Sequence, residues 1–117
     1  VLYCPMIDAR RMEVYSAVFD NALNDVVPVG AYVIDEHTFS DLLDNRRIVF
    51  AGNGSTKWKD VIKHRNAIFV EGIVPLATDM LALAERAFRN GQFEDVAYFE
   101  PFYLKEFLAT TPKNKLL

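Results

Sequence analysis

The first apolar and polar positions of the chain predict a β-hairpin. Across residues 13–20 successive side chains alternate in character, so that alternate positions face opposite sides, which is the period of a half-buried strand. A first strand is predicted over residues 5–8, and the short turn between the two strands contains Arg10 and Arg11. A hairpin this tight brings both strands into one sheet.

Further apolar runs predict three more strands, separated by loops and short helices. The Asn, Asp and Pro residues of 21–28 are typical of a loop. Residues 47–51 form an apolar run too short for a helix and bounded by Gly52, which favours a buried strand. The three predicted strands are residues 29–34, 47–51 and 66–71.

Three helices are predicted between and after these strands. Thr38 or Ser40 is expected to cap a short helix that ends near Asn45, and Ser55 to cap a second one. The second helix would bury Trp58, Val61 and Ile62.

The third helix has the clearest pattern, over residues 75–90, ended by Asn90 and Gly91. Its apolar positions recur at helical spacing, so they predict a core-facing stripe. On the outer face, Glu85 and Arg89 are one turn apart and are expected to pair. The predicted stripe is Leu76, Met80, Leu83, Ala84, Ala87 and Phe88. The predicted elements begin with strands and continue with strands that alternate with helices. This order indicates an α/β fold with a mixed sheet and flanking helices.

Composition narrows the classes of function. The chain has 117 residues, enough for one domain with one core. Its net charge is −3, so an autonomous nucleic-acid binder is disfavoured and any contact with RNA is expected to be indirect. The single cysteine, Cys4, rules out an internal disulfide, which suits a cytoplasmic location. No apolar run is long enough to span a membrane.

The stretch Gly52-Asn53-Gly54-Ser55 lies between a predicted strand and a predicted helix, a common place for an anion or nucleotide. It is not a phosphate-binding Walker A loop, because no Gly-Lys-Ser or Gly-Lys-Thr follows. The alternative is a tight turn in which glycine supplies a positive φ. We favour the turn and keep a vestigial nucleotide or anion loop as a hypothesis.

The hairpin tip, made by Asp8, Arg10, Arg11 and Glu13, is the second candidate site. Arg10 and Arg11 would bind an anion, or would simply be exposed charges that pair with Asp8 or Glu13. Exposed charges usually remain solvated, so the second interpretation is favoured.

The sequence gives little support for a metal site, a catalytic triad or a nuclease centre. His37 and His64 lack the spacing of metal ligands, and no metal site or cofactor is predicted. No Gly-x-Ser-x-Gly motif accompanies a Ser-His-Asp set, so no catalytic residue is assigned. A two-metal nuclease cluster is disfavoured by the acidity of the chain. The carboxylates that such a cluster would use are Asp8, Glu13, Asp20, Asp35 and Glu36.

Three segments together resemble one family. They are residues 7–15 (IDARRMEVY), residues 75–84 (PLATDMLALA) and residues 100–105 (EPFYLK), the last close to a Pro-x-Tyr-Leu-Arg pattern. Gly52-Asn53-Gly54 also falls where that family has a strand followed by a glycine loop. In this order they resemble the C-terminal lobe of the TsaB (YeaZ) family, whose members are needed to make threonylcarbamoyladenosine in tRNA.

The resemblance implies one lobe of a ribonuclease H-like fold, of the actin, hexokinase and Hsp70 type. Residues 1–108 would form the C-terminal lobe and residues 109–117 a flexible tail. Nothing matches the Asp-Thr-Ser strand motif of the family's N-terminal lobe, so that lobe is expected to be missing, and with it much of the surface for the partner. Relatives that use ATP carry glycines in the hairpin turn, whereas this turn has none, which implies a degenerate phosphate site.

The resemblance also implies a role and partners. The role is that of a non-catalytic scaffold that supports a TsaD-like catalytic subunit, with a TsaE-like ATPase as a further subunit. A second copy of the same protein is another candidate partner. The alternative is an ATP-binding or hydrolytic enzyme of the same fold, similar to a peptidase.

The aromatic residues near the end of the chain form the last feature. We expect much of this segment to pack back over the sheet, because aromatic side chains dominate protein cores. A protein-binding strip is the alternative. The aromatic residues are Tyr98, Phe99, Phe102, Tyr103 and Phe107.

Overall fold

A computed structural model describes residues 1–104 of the chain. Five strands form one sheet, and the predicted opening hairpin is confirmed as its first two strands. The strands are β1 (Leu2–Asp8), β2 (Glu13–Phe19), β3 (Asp25–Val33), β4 (Ile48–Ala51) and β5 (Ala67–Phe69).

The strand order in the sheet is β3-β2-β1-β4-β5. β2 runs antiparallel to both β1 and β3, whereas β1, β4 and β5 are mutually parallel. A mixed sheet in this order is the arrangement of the ribonuclease H-like fold. The predicted α/β fold class with a mixed sheet is therefore confirmed.

The core lies on one face of the sheet. Alternate residues of β1, β2 and β4 point into it, and Leu43 of helix α1 (Ser40–Asn45) covers them together with Trp58 and Ile62. The rings of Phe50 and Phe69 stack with centroids 5.0 Å apart. The strand residues buried in this core are Leu2, Cys4, Met6, Val14, Val18, Ile48 and Phe50.

The third strand begins four residues earlier than predicted, so the loop assigned to residues 21–28 was wrong in its second half. Pro28 lies inside β3, where its missing N–H costs nothing because β3 is an edge strand. Two register shifts interrupt the pairing of β2 with β3. The turn before β3 is held by Asp20, whose carboxylate accepts hydrogen bonds from Asn24 and from the Ala22 N–H.

The predicted first two helices were partly wrong. α1 ends at Asn45 as expected, but its N-cap is Phe39, with φ 61° and no capping side chain. Thr38 accepts a hydrogen bond from the Asp35 N–H, and Ser40 donates one to the His37 carbonyl.

After Ser55 the backbone forms only a 3₁₀ turn, Thr56–Trp58, in place of the predicted helix. Trp58 and Ile62 are nevertheless buried as predicted, and Val61 packs against the core. The last strand is also shorter than the predicted 66–71, because β5 pairs with β4 only from Ala67 to Phe69.

The third predicted helix is a 3₁₀ turn, Ala77–Met80, followed by α2 (Leu81–Arg89). Asn90 and Gly91 end it as predicted: Gly91 has φ 68°, and the Gln92 N–H donates to the Ala87 carbonyl. The predicted pair of Glu85 with Arg89 is present at 2.5 Å.

The apolar stripe of this third helix does not face a core. α2 contains no buried residue, and Leu83 and Phe88 are 48% and 69% exposed. The helical periodicity is therefore present, but no described residue buries the stripe.

The aromatic tail also differs from expectation where it is described. Tyr98 and Phe102 are 84% and 78% exposed, so the expected packing over the sheet was wrong for these residues. Phe107 lies outside the described part. Within residues 1–104 no helix has the length and apolar character needed to cross a membrane.

Candidate site at the carboxyl ends of β1 and β4

The two sites proposed from the sequence lie together in the structure. β1 and β4 are adjacent parallel strands, so Asp8 at the end of β1 is next to the loop that follows β4. The Asp8 N–H donates to Asn53 Oδ1 at 2.9 Å, and the Gly54 N–H donates to the Met6 carbonyl at 3.0 Å. The hairpin tip and the glycine loop therefore form one site.

Both glycines of the loop allow close backbone contact with β1. Gly52 has φ +98°, and a Cβ atom there would lie 2.3 Å from the Met6 carbonyl oxygen. A Cβ atom on Gly54 would lie 3.0 Å from the Asp8 nitrogen. Any larger residue at Gly52 would be strained in its backbone and would collide with β1.

The polar groups of the loop are used within the protein. The Ser55 N–H and hydroxyl both donate to the Gly52 carbonyl, at 3.1 and 2.8 Å. The Gly54 N–H is engaged by Met6, as described above. An anion-binding loop would offer such groups to its ligand, whereas here they bond to carbonyl groups of the protein itself.

Lys57 adds a third positive charge to the site, beside those of Arg10 and Arg11, and sequence reasoning missed it. Its Nζ lies 2.5 Å from Asp8 Oδ1 and donates to the Arg11 carbonyl at 3.0 Å. Lys57 also lies over the Trp58 ring, 5.3 Å from the centroid. The hydrogen bond from Lys57, and then that from the Arg10 N–H, lowers the pKa of Asp8. The contact between Lys57 and Asp8 depends on the parallel pairing of β1 with β4, so the sequence alone does not indicate it.

The hairpin tip has an unusual backbone. Arg10 and Arg11 have φ 71° and 52°, the left-handed region that glycine prefers. The turn is closed by hydrogen bonds between Ala9 N and the Glu13 carbonyl and between Glu13 N and the Arg10 carbonyl, both at 3.1 Å. Both arginine side chains are exposed.

An apolar pocket of about 360 Å³ lies beside the loop. Pro5, Ile7 and Ala51 of the sheet form one wall, and residues 73–75 form the other. Asn53 and Asp79 are its polar residues. The Asp79 carboxylate accepts a hydrogen bond from the Leu76 N–H, so it is already used to start the helical segment.

The carboxylates proposed for a nuclease cluster are dispersed. Asp8 pairs with Lys57, whereas Asp20 and Asp35 each hold a different turn, which lowers the pKa of both carboxyl groups. The bonds responsible come first from Asn24 to Asp20 and from the His37 N–H to Asp35. Within residues 1–104 no three His, Cys, Asp or Glu residues are grouped to hold a metal ion.

The histidines and the cysteine have local structural contacts. His64 Nδ1 accepts from the Asn66 N–H at 3.0 Å, and its Nε2 lies 3.3 Å from Asp44 Oδ1. Cys4 Sγ lies 3.1 Å from Ser16 Oγ, and burial raises the pKa of the thiol to about 11. A thiol with such a pKa is a poor nucleophile at neutral pH.

Comparison with known proteins identifies the fold. No protein-family model and no curated protein matches the chain. A solved structure does match: an uncharacterized protein with similarity to peptidase YeaZ from Pseudomonas aeruginosa. It aligns with a TM-score of 0.71 at 20% sequence identity, over 89% of this chain and 49% of that chain. The chain thus has a YeaZ-like fold and spans about half the length of that protein.

Proposed function

We propose that this chain is the second lobe of a YeaZ-type subunit that supports a TsaD-like catalytic subunit in the threonylcarbamoyladenosine modification of tRNA. The observation that carries the proposal is the alignment with half of a YeaZ-like protein over 89% of the chain. A TsaE-like ATPase would complete the assembly in the cytoplasm. Contact with tRNA would be indirect, because the net charge is −3.

The positions of the sequence motifs support this assignment. Residues 7–15 form the hairpin, and Gly52-Asn53-Gly54 packs directly against its base. Residues 75–84 span the 3₁₀ turn and the start of α2. The hairpin tip and the glycine loop, whose bonded residues Asp8 and Asn53 are 45 positions apart, therefore belong to one structural unit at the carboxyl ends of β1 and β4.

The geometry of the described polar groups favours a scaffold over an enzyme. Ser16 and Ser55 donate their hydroxyl hydrogens to the Pro5 and Gly52 carbonyls, not to a base. The Gly54 amide donates to Met6, and the hairpin presents two arginine side chains where phosphate-binding relatives place glycines. Such a site is poorly suited to hold a nucleotide through its backbone.

The second candidate is an ATP-binding or hydrolytic enzyme of the same fold. The observation in its favour is the likeness to a protein described as similar to a peptidase. Calorimetric titration of the complete gene product with ATP, together with a peptidase assay, separates the two functions. Binding of ATP detected by calorimetry, together with hydrolysis of ATP or of a peptide, would favour the enzymatic function.

The scaffold is tested by measuring association with the TsaD-like subunit from the same organism. We expect the complete gene product to form a stable complex, and this lobe alone to bind far more weakly because it spans about half of the matched protein. Circular dichroism of both proteins controls for folding. Failure of the folded complete protein to bind would overturn the proposal.

A further inference from the structure

The apolar pocket beside the glycine loop has the size of a small-molecule site. Its volume of about 360 Å³ is at the lower end of the range found for ligand pockets, about 300 to 1,000 Å³. Pro5, Ile7 and Ala51 of the sheet face residues 73–75 across it. A bound molecule would therefore lie between two apolar walls, and its polar groups would have to meet the few polar side chains at the edge.

Asp79 brings a negative charge to this pocket without a counter-ion. Its carboxylate oxygen Oδ2 accepts a hydrogen bond from the Leu76 N–H at 3.1 Å, which uses only part of the accepting capacity of a carboxylate. Among residues 1–104 no Lys, Arg or His side chain forms an ion pair with Asp79. The carboxylate can therefore still accept hydrogen bonds from a cation in the pocket.

Asn53 brings a hydrogen-bond donor to the same pocket. Its Oδ1 accepts from the Asp8 N–H at 2.9 Å, and this bond fixes the orientation of the amide group. No hydrogen bond within the described part of the chain uses the Asn53 NH₂ group. The pocket thus offers one carboxylate acceptor and one amide donor, both next to apolar walls.

The cations of the neighbouring site do not contribute to this pocket. Arg10, Arg11 and Lys57 are absent from its described lining, and the Lys57 ammonium is paired with Asp8. An anion in the pocket would be repelled by Asp79, with no positive side chain of the lining to offset the repulsion. A cation would be attracted, and the attraction is stronger beside apolar walls than in water.

We infer that this pocket binds a small organic cation: an amine or amidinium on an apolar body about the size of one ring, which also carries a hydrogen-bond acceptor. The cationic group donates to the Asp79 carboxylate, and a hydrogen bond that involves a charged group is among the stronger ones. The acceptor takes a hydrogen bond from the Asn53 amide, and the body packs against Ile7 and residues 73–75. The inference does not rest on the proposed role in tRNA modification.

Three ligands that share one apolar body test the preference for a cation. Tyramine carries an ammonium and a phenolic hydroxyl, hydroxyphenylpropionate replaces the ammonium with a carboxylate, and tyrosol replaces it with a neutral hydroxyl. Each is titrated into the ¹⁵N-labelled 117-residue chain, and the backbone amide signals are followed by NMR. We expect tyramine to shift the signals of Gly52, Asn53, Ile73 and Val74 in a saturable way, tyrosol to bind more weakly, and hydroxyphenylpropionate to bind least.

Asp79→Asn tests the role of the charge. Asparagine keeps a side-chain oxygen for the Leu76 N–H, so the start of the helical segment is retained. We expect tyramine to bind about fivefold more weakly, the effect of one exposed ion pair, while the binding of tyrosol changes little. The matched control is Asp95→Asn, because the Asp95 carboxylate also accepts a backbone hydrogen bond, from the Ala97 N–H, but lies outside the pocket.

Ala51→Leu tests the location, because the larger side chain fills the pocket from the sheet side. We expect it to abolish the tyramine shifts while the rest of the spectrum shows a folded chain. Equal binding of the three ligands, or tighter binding of hydroxyphenylpropionate, would overturn the preference for a cation. Absence of saturable shifts, shifts confined to residues outside the pocket, or equal effects of Asp79→Asn and Asp95→Asn would overturn the site itself.

Discussion

Lys57 Nζ lies 2.5 Å from Asp8 Oδ1, although the two residues are 49 positions apart in the chain. The pair joins the segment after β4 to the end of β1, and Lys57 also bonds the carbonyl of Arg11 at the hairpin tip. Four contacts between distant segments thus stabilise the site: these two of Lys57, the bond from Asp8 N to Asn53, and the bond from Gly54 N to Met6.

Lys57→Met is expected to lower the melting temperature at neutral pH but not in acid. The folded pKa of Asp8 lies below its ordinary value of 3.8, so the pair stabilises the fold above that pH. This stabilisation is lost as the pH falls through the folded pKa. Melting curves from pH 7 to pH 2 should show the two proteins converging. Lys59→Met, which removes an exposed partner of Glu71, is the control and should have little effect at pH 7. A difference that persisted undiminished in acid would show that Asp8 is not the partner that matters.

Gly52→Ala is expected to lower the free energy of unfolding by about 3 kcal/mol or more. Its Cβ atom would collide with the Met6 carbonyl oxygen, in addition to the strain of a positive φ. Gly72→Ala is the matched control, because Gly72 also has a positive φ but has open space around it. The control should cost about 1 kcal/mol. Equal losses in urea denaturation would contradict the close contact of the loop with β1.

Arg11→Gly is expected to stabilise the fold, by about 0.5 kcal/mol. Glycine relieves the left-handed backbone of this position, and the Arg11 group bonded by Lys57 is a carbonyl that the substitution retains. Met12→Gly, at a neighbour without a positive φ, should destabilise by a similar amount. The comparison requires equilibrium denaturation of all three proteins. A loss of stability in Arg11→Gly would mean that the arginine side chain itself holds the turn.

Cys4 is expected to resist thiol reagents in the folded protein. Its pKa of about 11 leaves very little thiolate at pH 8, and the side chain is buried. Reaction with Ellman's reagent at pH 8 should be slow in buffer and fast in concentrated urea. The urea sample provides the control for reagent and thiol content. Rapid reaction in buffer would show that β1 opens or that the thiol is exposed.

The sequence predicts most of the sheet because its strands have strong local signals. The alternation in residues 13–20 and the apolar run after Arg47 correspond to β2 and β4. β3 was predicted too short because Pro28 resembles a loop signal, and only its position at the sheet edge makes it acceptable. The capping of α1 was missed because Phe39 takes a left-handed conformation that no local pattern indicates.

The candidate site was predictable in its parts but not as a whole. Gly52, Asn53, Gly54 and the hairpin tip each stand out in the sequence. Their contact depends on the parallel pairing of β1 with β4, which is a property of the fold. Lys57 carries no motif, so its role follows only from the distances. The stripe of α2 shows the reverse case, in which a correct helical pattern does not say which surface will cover it.

The measurement that tests the central proposal most directly is mass spectrometry of tRNA nucleosides from cells depleted of the complete gene product. A YeaZ-type scaffold predicts loss of threonylcarbamoyladenosine, restored by the intact gene but not by this lobe alone. Unchanged levels of the modified nucleoside in depleted cells would contradict the proposed role and favour the enzymatic alternative.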